Sequence, residues 1–239
     1  MRRLAVPALV LSLVLVFAAC QESRSPRRPR GSGSSGPSPT ASGATSPVGG
    51  SCTLVIGFSV TTNWFRDGAF EQQPGIDDAS WEVLAHGGHD VWLWSDPNLH
   101  AYSVPPDSPC GREPDRIVFQ VAAERSTEDS LDDVVGALRM SIANFQARWP
   151  TANVVELIPI VGGPDGQPCP ADTRGGAVGA SVMNPLMNDV IAEVADGAEV
   201  VAGPDLLLED CSQYADGKGH LTEEGSRYIA SALAEHFAA

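Results

Sequence analysis

Cys52-Thr-Leu-Val-Ile-Gly-Phe-Ser59 is an apolar run without a charge that stops at a glycine and a serine. It shows no alternation of polar and apolar positions. It therefore reads as a strand buried on both faces, the kind found in parallel sheets covered by helices. Ser59 then falls just past the carboxyl end of that strand. Ligands and reacting groups gather at this edge in open parallel sheets.

The residues downstream repeat the pattern. A loop with Trp64, Phe65 and Phe70 comes first. Asp77 or Asp78 offers an N-cap for a helix carrying Trp81, Val83 and Leu84, which stops at Gly87-Gly88. His89 to Trp94 reads as a second strand, with Trp92 and Trp94 on one face and Val91 and Leu93 on the other. After a polar loop running to Cys110, Arg116 to Ala122 is a third strand. Ser126 or Thr127 starts a helix with apolar residues at 131, 134, 135, 138, 142, 145 and 149, and Pro150 ends it. Val154 to Val161 is a fourth strand. Asn184 is placed to cap a helix with Pro185 in its first turn. Glu199 to Ala202 is a short fifth strand, and Thr222 caps a last helix with Tyr228, Ile229, Leu233 and Phe237 inward. Strands alternating with helices predict an α/β domain of three layers, α/β/α, on a five-stranded parallel sheet of flavodoxin-like type. In that fold Ser59, Ser95, Glu124 and the loops 162–181 and 203–220 share the carboxyl rim.

Upstream of Cys52 the composition changes. Arg2 and Arg3 precede an apolar run from Leu4 to Phe17, which ends in Ala18-Ala19-Cys20. That run is too short for a stable membrane span and has the layout of a signal peptide. A cysteine after two alanines resembles the lipobox of bacterial lipoproteins, with Phe17 departing from its usual first position. The resemblance implies that Cys20 becomes the lipidated N-terminus, on the outer face of a bacterial cell membrane. An ordinary secreted protein is the alternative. Residues 21–50 are rich in Ser, Pro, Gly, Thr and Arg and bury too little to fold, so a disordered tether is expected. The remaining residues, 51–239, suffice for one domain with a full core. After residue 30 the chain has nine Lys+Arg against 29 Asp+Glu, a formal −20. Such a body repels nucleic acid and accepts a neutral substrate more easily.

Apart from Cys20 the cysteines are Cys52, Cys110, Cys169 and Cys211, which fits an oxidising compartment. Four cysteines allow three connectivities. Cys52 and Cys110 both precede strands, at the amino edge of the sheet. Cys169 and Cys211 both follow strands, at the carboxyl edge. A bridge needs Cα atoms within about 7 Å, so Cys52–Cys110 and Cys169–Cys211 are the expected pairs.

The chemistry centres on Asp216-Gly-Lys-Gly-His220-Leu-Thr222-Glu-Glu-Gly225, just before and into the last helix. A histidine oriented by a carboxylate is half of a nucleophilic site, and Ser59 is the natural other half. With Gly57-Phe-Ser59-Val-Thr61 after the first strand, the chain resembles the SGNH/GDSL hydrolase superfamily. The resemblance implies an esterase, acyl hydrolase or acyltransferase that works through an acyl-enzyme. Ser59 would be the nucleophile, His220 the base and Asp216 the orienting acid. The Ser59 backbone N–H would be one oxyanion donor. No cofactor is expected, and no metal, since the chain shows no P-loop, dinucleotide fingerprint or fixed ligand spacing. The substrate would be an acylated small molecule or glycan.

Several positions depart from the family. Phe58 stands where an Asp is usual, and the acid-to-His spacing is four rather than three. The block that supplies an oxyanion-hole Asn falls on Ala122-Ala123-Glu124-Arg125, and an ionised Glu124 cannot donate a hydrogen bond. The second block's glycine has no clear match, so Asn98 is a candidate stand-in donor. These departures keep a second class open: the same fold with a decayed site, binding a glycan, lipid or protein. Asp210 is an alternative orienting acid. Trp64 is expected in the core; exposed beside Ser59, it would be a platform for a sugar ring. His86, His89, Asp90, Asp96 and His100 cluster in sequence, but without the fixed spacing of a metal site.

Overall fold

The computed structural model describes residues 51–106, 110–123, 130–170 and 180–239. The expectations for Cys20, the tether, Glu124, Arg125, Ser126 and Thr127 lie outside the described residues. Five parallel strands form one sheet: β1 (Thr53–Gly57), β2 (Trp81–Ala85), β3 (Arg116–Val121), β4 (Val154–Pro159) and β5 (Val200–Ala202). Their spatial order is β2-β1-β3-β4-β5. The helices are α1 (Ser59–Thr62), α2 (Val91–Trp94), α3 (Leu131–Arg148), α4 (Ala180–Val194) and α5 (Glu223–Ala238). The chain steps one way from β1 to β2 and the other way from β3 through β4 to β5. Right-handed crossovers therefore put the two sets of connections on opposite faces of the sheet. The place where the direction reverses lies between β1 and β3, and Ser59 leaves the sheet there.

β1 is buried along its whole length, as its apolar run requires. α3 packs against α2 and α4. α5 packs against a π-helical turn (Asn63–Asp67) that continues α1. Ser130, not a residue further upstream, caps α3: its hydroxyl accepts the Asp133 N–H, and the Asp133 carboxylate accepts the Ser130 N–H in return. Thr222 caps α5 by accepting the Gly225 N–H. Cys52 pairs with Cys110 and Cys169 with Cys211, with Cα separations of 5.9 and 5.7 Å.

Three elements differ from expectation. The segment read as a helix, Trp81 to Leu84, is strand β2, and the segment read as a strand, His89 to Trp94, contains helix α2. An aspartate precedes each. Asp77 accepts the Ala79 N–H and caps only a single 3-10 turn, Asp78–Ser80. Asp90 accepts the Trp92 and Leu93 N–H groups and starts the real helix. Val91 and Trp94 are buried three residues apart while Leu93 is 41% exposed, which is a helical period and not alternation. The other difference is α4, which begins at Ala180 and holds Pro185 inside it. Asn184 is no cap: its amide donates to the Ile160 carbonyl and to Asp205, tying α4 to the end of β4. Among the described residues no helix is long and apolar enough to cross a membrane.

Candidate active site

Ser59 is the first residue of α1, with Phe58 extended before it. The bend from strand to helix is tight. A Cβ on Gly57 would lie 1.9 Å from Thr61 Oγ1, so only glycine fits. Thr61 Oγ1 accepts the Phe58 N–H at 3.1 Å and donates to Gln120 Oε1 at 2.7 Å. The same oxygen of Gln120 accepts the Trp64 indole N–H at 3.1 Å. Gln120 is wholly buried in β3, so the start of α1 is pinned to the middle of the sheet. Its role was not visible in the sequence. A lone polar residue in a strand gives no sign of what it will meet, and its partner Trp64 lies 56 residues away.

His220 reaches Ser59 from the other end of the chain. Tyr214 and Leu221 face each other across an antiparallel bridge, and Ala215 N–H donates to the His220 carbonyl at 2.7 Å. Residues 216–219 are the tip of the resulting hairpin, where Gly219 takes a φ of 89° that other residues rarely adopt. The Tyr214 hydroxyl donates to the Val161 carbonyl at 2.7 Å, fixing the hairpin to the end of β4. The Cys169–Cys211 bridge holds the chain just upstream.

His220 Nε2 lies 2.9 Å from Ser59 Oγ, and His220 Nδ1 lies 2.6 Å from Asp216 Oδ2. A carboxylate only accepts, so Nδ1 carries the proton and Nε2 accepts from the serine hydroxyl. The other carboxylate oxygen, Oδ1, accepts the backbone N–H groups of Lys218 at 2.9 Å and His220 at 3.2 Å. Partial burial pushes the Asp216 carboxyl up. The hydrogen bonds from the His220 ring and from these two N–H groups outweigh it and leave the group below its ordinary value. The side chains of His220 and Asp216 remain 34% and 43% exposed, so the pair is open to an incoming molecule.

Other candidates are not brought to this point. Asn98 lies beyond α2, in a segment that runs along α3 towards the amino edge. Ser141 meets the Val91 carbonyl, Asn144 meets those of Trp94 and Ser95, and Arg148 meets that of Tyr102. The Asn98 amide is engaged with Asp96 instead. Asp210 accepts the Ser212 N–H and caps a short turn, and it is not the partner of His220. Trp64 is fully buried, which removes the platform alternative. The swap of β2 and α2 also changes what lies beside Ser59. Ala85 pairs with Gly57, and His86 N–H donates to the Gly57 carbonyl at 3.3 Å. The His86-Gly-Gly-His89 turn therefore leaves the sheet next to the segment that carries Ser59. A cavity of about 330 Å³ lies at the opposite, amino edge, lined by Glu82, Pro105, Arg112 and Trp149 among others, and none of the three site residues lines it.

No protein-family model matches the sequence, and no curated protein matches it. Solved structures do match. A protein from Slackia heliotrinireducens assigned to the SGNH hydrolases shares 17% identity at a TM-score of 0.50, over 79% of this chain and 100% of that one. The fold is that of the SGNH hydrolases. A second match, described as a platelet activating factor from Streptococcus pneumonia, has 16% identity and a TM-score of 0.52, over 80% and 86% of the two chains. A third is a carbohydrate esterase whose active site is described as having divergent catalytic and non-catalytic binding functions. It has 13% identity and a TM-score of 0.50, and the alignment covers 80% of this chain and 66% of that one.

Proposed function

We propose that this chain is an extracytoplasmic serine esterase or acyltransferase acting on an acylated small molecule or glycan, with Ser59 as nucleophile, His220 as base and Asp216 as orienting acid. The observation that carries this reading is the unbroken chain of contacts from Ser59 Oγ through the His220 ring to Asp216, at 2.9 and 2.6 Å. Ser59 Oγ attacks the acyl carbonyl while His220 Nε2 takes its proton. The imidazolium then gives that proton to the departing alkoxide, leaving an acyl-enzyme. Water, or a hydroxyl of an acceptor, reverses these steps and releases the acyl group. Asp216 keeps the ring in the required tautomer and offsets its transient charge. The Ser59 N–H, in the first turn of α1 where helical N–H groups have no internal acceptor, donates to the oxyanion. The Gly87-Gly88 turn is the candidate source of a second donor, in place of Asn98. A glycan ester agrees with the carbohydrate esterase among the structures of similar fold. Cys20 carries the lipid that holds the domain outside the membrane, with residues 21–50 as the tether.

A fluorophosphonate probe tests the enzymatic reading. Labelling of the wild type that is lost in Ser59→Ala and His220→Ala supports it. Phe58, in the position where the family has an acid and only 8% exposed, favours a second reading in which the fold binds a glycan, lipid or protein without turnover. An intact, folded protein that takes no label supports that one. A fatty-acid probe fed to expressing cells tests the anchor, with label expected on the wild type and absent from Cys20→Ser.

A further inference from the structure

Ser59 and Asn63 are one helical turn apart, on α1 and the first residue of the π-helical turn that continues it. Two consecutive residues of the histidine hairpin meet these two positions. His220 Nε2 meets Ser59 Oγ at 2.9 Å, and Leu221 N–H donates to Asn63 Oδ1 at 3.2 Å. Of the other hydrogen bonds around the hairpin, Ala215 to His220 and Thr222 to Gln213 stay within the C-terminal segment, and the Tyr214 hydroxyl ties it to Val161 beyond β4 rather than to α1. The Asn63 contact spans 158 residues and joins the hairpin to the nucleophile's own helix. Its amide is held in one orientation, because Nδ2 donates to Asp67 Oδ2 at 2.9 Å and Oδ1 is left facing Leu221. The widened turn itself closes on the Asn63 carbonyl, which accepts the Gly68 N–H at 2.8 Å. Single π turns within helices are frequent at functional sites.

We infer that Asn63 is a positioning residue: its amide, oriented by Asp67, sets the distance between Ser59 Oγ and His220 Nε2 by holding the next residue of the base hairpin. The inference rests on the acyl-transfer reading for its kinetic consequence but not for its geometry. In Asn63→Ala the hairpin keeps its own bonds, including His220 to Asp216, and loses its register on α1. A displacement of about 1 Å at a reacting pair costs on the order of 100-fold in rate. Asn63→Asp keeps an acceptor for Leu221 but sets a second carboxylate against Asp67. The double variant Asn63→Asp/Asp67→Asn restores one acceptor and one donor with the positions exchanged.

The test measures fluorophosphonate labelling rates of the full chain beside two proton and nitrogen signals of His220. Labelling is expected to fall about 10- to 100-fold in Asn63→Ala and in Asn63→Asp, and to recover in the double variant. The low-field proton of His220 Nδ1 is expected to persist throughout, since Asp216 moves with the hairpin. Loss of that signal in Asn63→Ala, or labelling at the wild-type rate, overturns the inference, the first because the hairpin itself would have come apart. Should the wild type take no label, the acyl-transfer reading fails and the nitrogen signal decides alone. A shift of His220 Nε2 in Asn63→Ala that matches Ser59→Ala upholds the positioning role, and an unmoved signal overturns it.

Discussion

Asp216 divides its two oxygens. One takes the His220 ring, and the other closes a turn on the backbone of Lys218 and His220. The second contact explains how the carboxylate reaches the ring from four residues away, because it is folded back over the tip it belongs to. Asp216→Asn leaves the side-chain shape but presents an amide that can donate to His220, favouring the wrong tautomer. Fluorophosphonate labelling is expected to drop by roughly 10³- to 10⁴-fold, with the fold intact by circular dichroism. The acid limb follows from the lowered carboxyl. A group depressed in the folded state contributes stability that is present above its unfolded pKa and lost as pH falls through the folded value. The Asp216 carboxyl resonance is therefore expected to titrate below the ordinary 3.8, and His220→Ala is expected to bring it back up.

At the level of elements, the join between β3 and α1 sets where Ser59 stands. Gln120→Leu fills the same space but strands the Thr61 hydroxyl and the Trp64 indole N–H in the core. Each buried group left unsatisfied costs about 1–3 kcal/mol, so a loss of roughly 2–6 kcal/mol is expected in urea unfolding. Parts of this architecture were legible in the sequence and parts were not, for physical reasons. β1, β3 and β4 are unbroken apolar runs because both faces of each are covered, and α5 announces itself through Thr222. β2 and α2 were exchanged because both follow an aspartate and both are short apolar runs. Only the sheet, through its pairing with β1, decides that Trp81–Ala85 is extended. The Ser59, His220 and Asp216 grouping could be drawn from a serine at the end of the first strand and an acid and histidine just before the last helix. Gln120 and Asn63 could not, since a single amide in a strand or helix names no partner.

The molecule as a whole has two ends with different duties. Cys169–Cys211 clamps the rim that carries His220, and Cys52–Cys110 clamps the opposite edge where β1 begins. Removing either bridge is expected to cost about 2–4 kcal/mol in denaturant unfolding. The Cys169→Ala/Cys211→Ala pair is expected to slow labelling as well, and Cys52→Ala/Cys110→Ala to leave it near the wild-type rate at temperatures where both are folded. The sheet also encloses a charge away from the rim. Glu156, 3% exposed, meets Arg116 and His236, the latter at 2.7 Å. Burial raises its carboxyl, but His236 and Arg116 more than offset this and leave it below the ordinary value. Its contribution is therefore present above the unfolded carboxylate pKa and fades as pH falls through the folded one. Glu156→Gln is expected to flatten that acid-side decline in melting temperature. It is also expected to cost up to about 3 kcal/mol near neutral pH, the low end for a broken buried pair, because both partners reach solvent.

The glycine-flanked tip between Tyr214 and Leu221 carries a lesson about length. A carboxylate tied to its own backbone can absorb one inserted residue and still deliver its charge to the same ring nitrogen. Tolerance to such slippage means that a fixed count between acid and imidazole is a poor fingerprint for a contact of this kind. Other chains of this fold with a shifted carboxylate are better sought by asking whether a loop can curl its acid home than by matching letters at set intervals.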